Sequence, residues 1–404
     1  MKTALKTAVL KFGGTSLSTP ELREVAVLRV KEAKSRGLLP VAVVSAMGRP
    51  PDAYATDTLL ALAGTSGTRN ADLLLSCGET IAAAVFASLL VDAGLDAIAF
   101  TGAQAGIITT RDFGDAKILR IEPGRIVAAL EAARVPVVAG FQGASESGEV
   151  TTLGRGGTDL TAIALGHALG SERIDIYTDV SGALSGDPRR IEGAHTIERV
   201  SLEEMTELAQ SGAKVMHDKA AEFARRTKTP YAIKGLASGV GTVVDDWMDH
   251  HRPVTGVTAS ARVTWVRAIR GDIEDPRARM QLEMAMFERI AAAEISIDQV
   301  TINQAGICFV VKGDRGNDIR GLLADLNMAV RVREGCSKLS IVGAGMRYEP
   351  GVIATIVKAL SAANVEIIHC TDSNITVSIL VPADDAQRAE QSVHDTFGLE
   401  KSDA

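Results

Sequence analysis

Two short glycine-bearing segments of this chain set a charged side chain where an anion could be held. The first is Lys11-Phe12-Gly13-Gly14-Thr15-Ser16, which closes an apolar run and precedes the helical pattern of Glu21 to Ala33. Adjacent glycines let the backbone approach an anion closely, and the amides of a turn can point at phosphate oxygens. Lys11 puts a positive charge at the end of the run, the kind of group that stabilises charge developing during phosphoryl transfer. The plain alternative is a glycine turn with a lysine whose stem lies along the surface. The second segment is Thr151-Thr152-Leu153-Gly154-Arg155-Gly156-Gly157-Thr158-Asp159, immediately before the helical pattern Leu160 to Leu169. Three glycines at a helix N-terminus make an anion site, and Arg155 adds a planar fork suited to a carboxylate. Asp159 alone reads as a stabiliser of the helix dipole. That reading leaves the arginine among three glycines unexplained. No Gly-Lys-Ser/Thr follows at Walker A spacing, and the Gly-x-Gly-x-x-Gly dinucleotide fingerprint is missing.

Three weaker features accompany them. Leu75-Ser76-Cys77-Gly78-Glu79 puts a carboxylate inside an apolar helical stretch, where Glu79 either faces solvent or binds a substrate ammonium. Tyr177-Thr178-Asp179-Val180 ends a strand-like run and Gly186-Asp187-Pro188-Arg189 follows in a turn, a combination that fits a nucleotide pocket but also an ordinary Asp-Pro turn. Gly212-Ala213-Lys214 adds a cation after the helical pattern of Leu202 to Ala209, and Lys214 read alone is a surface lysine.

These segments need a scaffold that brings loops together. Up to about residue 245 short apolar runs alternate with longer helical patterns: Val9 to Phe12, Val41 to Met47, Ala97 to Phe100, Val135 to Phe141 and Ile174 to Thr178, with helical stretches such as Ala71 to Ala93 between them. Strand-helix-strand repetition implies an α/β layer fold with a mostly parallel sheet and ligands outside the carboxyl ends of its strands. Aromatics are only 4%, so the core rests on Ala, Val, Leu and Ile, the mix of buried parallel strands under Ala-rich helices.

After residue 250 the texture changes. One unit carries a strand at Thr264 to Ile269, a helix over Arg277 to Ala293, and strands near Cys308 to Val311 and Val330 to Arg333. A second carries a strand at Leu339 to Val342, a helix over Gly351 to Ala363, and strands at Val365 to Cys370 and Ile375 to Val381. This is an internal repeat of roughly 70 residues, longer than solenoid periods, and reads as two βαββαβ units forming a small-molecule sensing module.

The 404 residues exceed what one compact core holds. The formal net charge of -7 comes with no basic block, which speaks against a nucleic-acid surface and leaves an anionic substrate to be captured by local groups. Cys77, Cys308, Cys336 and Cys370 are widely spaced, as reduced cytoplasmic thiols are, and suggest neither a zinc site nor a disulfide framework. No run is long enough to span a bilayer and Met1 to Leu10 lacks the apolar core of a secretion signal, so a cytoplasmic location away from membranes is expected.

Taken together the chain resembles the aspartate kinases of the amino-acid kinase superfamily. The matching stretches are KFGGTS at 11–16, VVSAMG at 43–48, LLSCGET at 74–80, TGAQAG at 101–106, GFQGA at 140–144, TTLGRGGTD at 151–159, IYTDV at 176–180, GDPR at 186–189 and SGAKVMH at 211–217, in family order. VGAGM at 342–346 and PGV at 350–352 match the opening of the second of the family's tandem ACT domains, in the form without a fused homoserine dehydrogenase. The resemblance implies an amino-acid kinase catalytic domain over residues 1–245. Two ferredoxin-like ACT domains follow, over 263–335 and 336–404, with the C-terminal end free to pack back onto the first.

The resemblance also implies roles. Lys11 and Asp159 would be catalytic. Ser45, Glu79, Arg155 and Thr158 would bind L-aspartate, Glu79 taking its ammonium and Arg155 a carboxylate. Lys11, Phe12, Gly13, Gly14, Gly156, Gly157, Thr178, Asp179, Asp187, Arg189 and Lys214 would hold ATP, with Mg²⁺ carried by the phosphates rather than by a protein site. The implied product is 4-phospho-L-aspartate, first intermediate on the way to lysine, threonine, methionine and diaminopimelate. Asp298, Gln299, Gln304, Asn364 and Ile367 would face an amino-acid effector (lysine, threonine or diaminopimelate), and the ACT domains would build a homo-oligomer. The chain departs from the family pattern at Thr158, at Ser181, Ser185 and Gly186, at His217-Asp218-Lys219 and at Ala232-Ile233-Lys234-Gly235. These departures motivate a second reading, a kinase-dead amino-acid-sensing paralogue.

Overall fold

The computed structural model describes residues 5–213, 215–271, 273, 275–304 and 306–400. The first part holds strands β1 (Thr7–Phe12), β2 (Leu39–Val44), β3 (Ala97–Phe100), β4 (Ile107–Thr109), β5 (Ile118–Ile121), β6 (Val135–Ala139), β7 (Gln142–Ser145), β8 (Val150–Thr152), β9 (Arg173–Thr178), β10 (Arg199–Ser201), β11 (Tyr231–Gly235) and β12 (Gly241–Asp245). Its helices are α1 (Pro20–Ser35), α2 (Thr56–Ala63), α3 (Arg69–Asp92), α4 (Gly124–Glu131), α5 (Gly157–Leu169), α6 (Leu202–Gln210) and α7 (Asp218–Thr227).

Eight of these strands form one sheet in the order β10-β12-β11-β9-β1-β2-β6-β3. All its pairs are parallel except β11 with β12. Strand alternation sends Ala8, Leu10 and Phe12 of β1 to a core shared with α1 and α3, while Val9 joins the opposite core with α4 to α7. Both faces are therefore covered, which explains why these strands read as continuous apolar runs. A small second sheet, β5-β4-β7-β8, was not visible in the sequence pattern, because its strands are three or four residues long. Helix α3 is long and apolar enough by composition to cross a membrane. Here it packs against β3, β6 and β8 and buries Asp72 and Glu79.

The second part holds β13 (Gly256–Arg270), α8 (Pro276–Ala292), β14 (Ile297–Asn303), β15 (Gly306–Lys312), α9 (Gly316–Leu323), β16 (Met328–Val342), α10 (Val352–Ala362), β17 (His369–Asp372), β18 (Thr376–Pro382) and α11 (Ala386–Thr396). Its six strands make one sheet, β14-β15-β13-β16-β18-β17. The strands expected separately at Val330 to Arg333 and Leu339 to Val342 are the single strand β16, so the expected division at 335/336 falls inside it. Gly335, with φ 66°, does not end the strand but sits in a register irregularity opposite Val263 and Trp265. Glycine here marks a bulge rather than a stop.

Strand β13 also begins earlier than expected. Its first residues, Gly256 to Ala259, pair with Val342 to Leu339, while Val263 to Ala268 pair with β15. One half of β13 thus belongs to each βαββαβ unit, and the segment that enters before the first unit supplies the edge strand of the second. Helix α11 covers the second unit, burying Ala389 and Val393 with Val257, Leu339 and Ile341.

Candidate active site

Strands β9, β1 and β2 lie side by side at the centre of the large sheet, and their carboxyl ends open onto a cleft of about 350 Å³. Lys11, Gly13, Gly14, Ser45, Asp159, Thr178 and Asp179 all line it. From β1 the chain runs on to β2 at one side, and the later strand β9 takes the place at the other side of β1, a reversal of direction across the sheet of the kind at which open α/β sheets form a binding crevice.

The first bend is built by close backbone contact. A Cβ on Gly14 would lie 2.5 Å from the Ala46 carbonyl oxygen, and Gly48 N–H donates to Gly14 O at 3.1 Å. Ser45 N–H donates to Phe12 O at 3.1 Å, so the ends of β1 and β2 are stitched together. The Phe12 ring is buried between Phe86 and Tyr177, with both centroids at 5.3 Å. Phe12 therefore serves the site through its backbone and through packing.

The second bend comes from the other side of the same cleft. Gly156 is left-handed at φ 71°, and a Cβ there would strike the His217 ring at 2.1 Å. Helix α5 starts at Gly157, which places Asp159 in its first turn. Asp159 Oδ1 lies 2.6 Å from Lys11 Nζ, an ion pair that joins the two bends. Thr158 is buried, with its methyl group filling the space above Gly140. Arg155 stands exposed at the bend and has no ion-pair partner among the described residues.

Glu79 is not a solvent-facing helix residue. It is 1% exposed, and its Oε1 accepts from Ala46 N–H at 3.1 Å, directly behind the Ser45 wall of the cleft. Burial pushes its carboxyl up to about 8, with the Ala46 hydrogen bond opposing. Oε2 has no partner among the described residues. A half-satisfied buried carboxyl beside a cleft suits a cationic group on a ligand.

Beyond Thr15, Thr178 and Asp179 the cleft continues into a recess of about 280 Å³ bounded by Ser181 and Gly235 to Ser238. Asp187 and Arg189 line neither space; they pair with each other at 2.8 and 3.0 Å on the following turn. That turn meets the C-terminal helix instead. Ser185 Oγ lies 2.9 Å from His394 Nε2, Arg190 Nε lies 2.6 Å from Glu390, and Glu192 N–H donates to Gln391 at 2.7 Å. A Cβ on Gly186 would meet Ile191 at 2.3 Å. The unusual Ser185 and Gly186 thus shape a junction with α11. Lys234 is likewise occupied away from the cleft, paired at 3.0 Å with buried Asp175 on the neighbouring strand. Lys214 lies outside the described residues; Val215 beside it lines the cleft.

In the second part, Asp298 pairs with Lys338 at 2.5 Å and Gln299 donates to Thr371 Oγ1 at 3.2 Å, so this pair of residues ties the first unit to the second. Gln299 adopts φ 50° at a register irregularity of β14. Gln304 is exposed in the turn after β14. Asn364 (φ 53°) follows α10, its carbonyl accepting from Arg388, and Ile367 packs on the second unit's core.

The sequence reading missed one wall of the cleft: Arg49, Pro50, Ala55, Thr56 and Asp57. Arg49 reaches Asp179 at 3.7 Å. Its signal was Gly48-Arg49-Pro50-Pro51 at the carboxyl end of a buried strand, a position where loops carry ligand contacts.

Residues 6–235 match the model of the Amino acid kinase family, and residues 339–397 match an ACT domain. Aspartokinase 1 of Bacillus subtilis (strain 168) is 40% identical over 98% of this chain and 100% of its own length. Among solved structures, E. coli aspartokinase III in complex with aspartate and ADP (R-state) superposes with a TM-score of 0.78 at 24% identity, covering 96% of this chain and 99% of that one. The same E. coli enzyme in complex with lysine and aspartate (T-state) gives 0.71 at 23% identity, covering 97% and 100%.

Proposed function

The chain belongs to the amino acid kinase family, among its aspartokinases, and from that premise we propose that the cleft transfers the γ-phosphoryl group of ATP to the β-carboxylate of L-aspartate. The observation that carries this reading is the Lys11–Asp159 ion pair at 2.6 Å, because it brings both glycine bends to one floor. The nucleotide phosphates lie over Gly13 and Gly14 with Lys11 neutralising the transferring group, and the base points toward the recess at Gly235 to Ser238. Aspartate lies on the Arg155 side, its ammonium on Glu79. Its carboxylate is ionised at neutral pH and attacks in line, so no general base is required and positioning with charge neutralisation carries the rate.

Among the described residues no cluster of His, Cys, Asp and Glu could hold a metal ion. Of the three carboxylates that line the cleft, Asp57, Asp159 and Asp179, two already face cations, Asp159 on Lys11 and Asp179 on Arg49. We place Mg²⁺ on the phosphates, which suits its reluctance to shed water.

The second part acts as the regulatory region. Its sensing site for a free amino acid lies where Asp298 and Gln299 meet Lys338 and Thr371; lysine, threonine and diaminopimelate are the candidates. The lysine complex of the E. coli fold neighbour supports an amino-acid effector. Met280 and Met284 on α8 and Val300 and Ile302 on β14 are exposed, which supports pairing of this region in a homo-oligomer. Free thiols at all four cysteines suit a reducing, cytoplasmic compartment. The kinase-dead alternative is not favoured: the aspartokinase relatives match over nearly the whole chain, and of the departures that motivate it Ser185, Gly186 and Lys234 serve contacts outside the cleft.

The deciding assay incubates the protein with ATP, Mg²⁺, hydroxylamine and one acceptor at a time. An acyl phosphate is trapped as a hydroxamate. Hydroxamate from aspartate, and not from glutamate or acetylglutamate, is the expected result; none from aspartate overturns the reading.

A further inference from the structure

Asp72 is wholly buried on α3, seven residues before Glu79 and so on the same face of that helix. None of the roles above uses it. Its Oδ2 accepts from Thr152 N–H at 2.7 Å and from Gly114 N–H at 3.0 Å, and its Oδ1 accepts from Thr152 Oγ1 at 2.9 Å. All three donors are neutral, and the described residues offer Asp72 no ion-pair partner. Taking a carboxylate out of water is costly, and three converging donors are what offset it here. An amide of the same shape would not serve, because its NH₂ would face a donor.

What the carboxylate holds is the root of the Arg155 bend. Strand β8 ends at Thr152, and Leu153, Gly154 and Arg155 follow directly. Leu153 N–H donates to Phe141 O at 2.8 Å, and Ala116 N–H donates to Thr152 O at 2.9 Å. Lys219 pairs with Asp115 and reaches Leu153 O at 3.4 Å. The bend and the 112–116 loop therefore form one block, and Asp72 fastens that block to α3. At the other end of the same helical face stands Glu79.

We infer that Asp72 is a positioning residue for the amino-acid half of the site. By tying the Arg155 bend to the helix that carries Glu79, it makes one rigid rod set the separation between the group for the substrate's carboxylate and the group for its ammonium. The inference rests on the assignment of Arg155 and Glu79 to aspartate. A ligand held at both ends is sensitive to that separation, whereas the nucleotide bend at Gly13 and Gly14 hangs on β1 and β2 and meets the Arg155 bend through the Lys11–Asp159 ion pair rather than through Asp72.

The test measures kcat and the separate KM values for aspartate and ATP in D72N, in the milder T152V, which removes one bond and keeps the side chain's size, and in R155K. D72N is expected to raise the aspartate KM by about tenfold to a hundredfold, the equivalent of one lost hydrogen bond to a charged group, and T152V by about tenfold. The ATP KM stays within about twofold of wild type. A purely structural Asp72 would lower Tm while moving neither KM, or would move both together. Either result overturns the inference, and if D72N does not fold, an unchanged aspartate KM in T152V overturns it. R155K separates the layers. If it raises the aspartate KM and folded D72N does not, the inference alone fails; if it leaves the aspartate KM unchanged, the aspartate assignment of Arg155 fails with it.

Discussion

Lys11 Nζ and Asp159 Oδ1 stand 2.6 Å apart, so the last turn-out of β1 and the first turn of α5 share one ion pair on the cleft floor. Both side chains are mostly covered, at 12% and 16% exposure, which leaves the pair weakly screened by solvent. Asp159 thus fixes where the Lys11 ammonium sits before any phosphate arrives. Removing that anchor with D159N should lower kcat by about a hundredfold, within the range for losing one preorganised electrostatic group, while the substrate KM values change little. A kcat within threefold of wild type would show that Asp159 only stabilises its helix.

Glu79 gives the site a pH signature. Its carboxyl is raised from 4.5 to about 8 by burial. Between those values the folded chain holds a proton that the unfolded chain has lost, so this group's contribution to stability is full below 4.5 and falls as pH rises through 8. Binding of an ammonium favours the charged carboxylate. Aspartate should therefore expel a proton on binding near pH 7, and its KM should fall as pH is raised toward 8. Calorimetry in two buffers of different ionisation enthalpy reads the proton directly, and E79Q should abolish both effects. A KM independent of pH would place the ammonium elsewhere.

Gly156 is held at φ 71° against the His217 ring, where a Cβ has no room. G156A combines backbone strain with a collision and should cost about 1–3 kcal/mol in unfolding free energy. Because the bend carries Arg155, the aspartate KM should rise as well. Urea denaturation gives the first quantity and the hydroxamate assay the second; an unchanged midpoint would mean the bend relaxes freely.

Glu204 joins the two parts of the molecule. It is 2% exposed, and its carboxylate accepts from Ser201 N–H and Oγ at the start of α6, from Thr255 Oγ1 at 2.6 Å and from Ala344 N–H at 2.9 Å. Nearby, Thr376 Oγ1 donates to Glu207 at 3.0 Å. E204A strands buried donors on both sides and should destabilise the chain by about 3 kcal/mol. A two-step unfolding curve in E204A, against a single step in wild type, would show that this helix couples the parts. No change in midpoint or shape would deny the coupling.

Much of this was legible from residue order. The apolar runs at Val9, Val41, Val135 and Ile174 gave the central strands because burial on both faces removes polar alternation, and the glycine bends announced their own backbone conformations. Glu79 was ambiguous, since a carboxylate in an apolar helix reads the same whether it turns outward or inward. Only Ala46, far along the chain, decides it. Ser185 and Gly186 read as changes in a nucleotide loop, and the partner that explains them, His394, lies 209 residues from Ser185. The half-strand exchange through β13 and β16 was hidden for the same reason: a strand's pattern states that it pairs, not with which neighbour, and Gly335 imitated a strand end.

The most direct measurement is the rate of aspartyl hydroxamate formation by K11M beside wild type, with folding checked by Tm. Methionine keeps the stem of Lys11 and removes the charge. Wild type should form the hydroxamate, and K11M should lose about a thousandfold or more in kcat with a near-native Tm. A K11M rate within tenfold of wild type would contradict the claim that Lys11 stabilises the transferring phosphoryl group in this cleft.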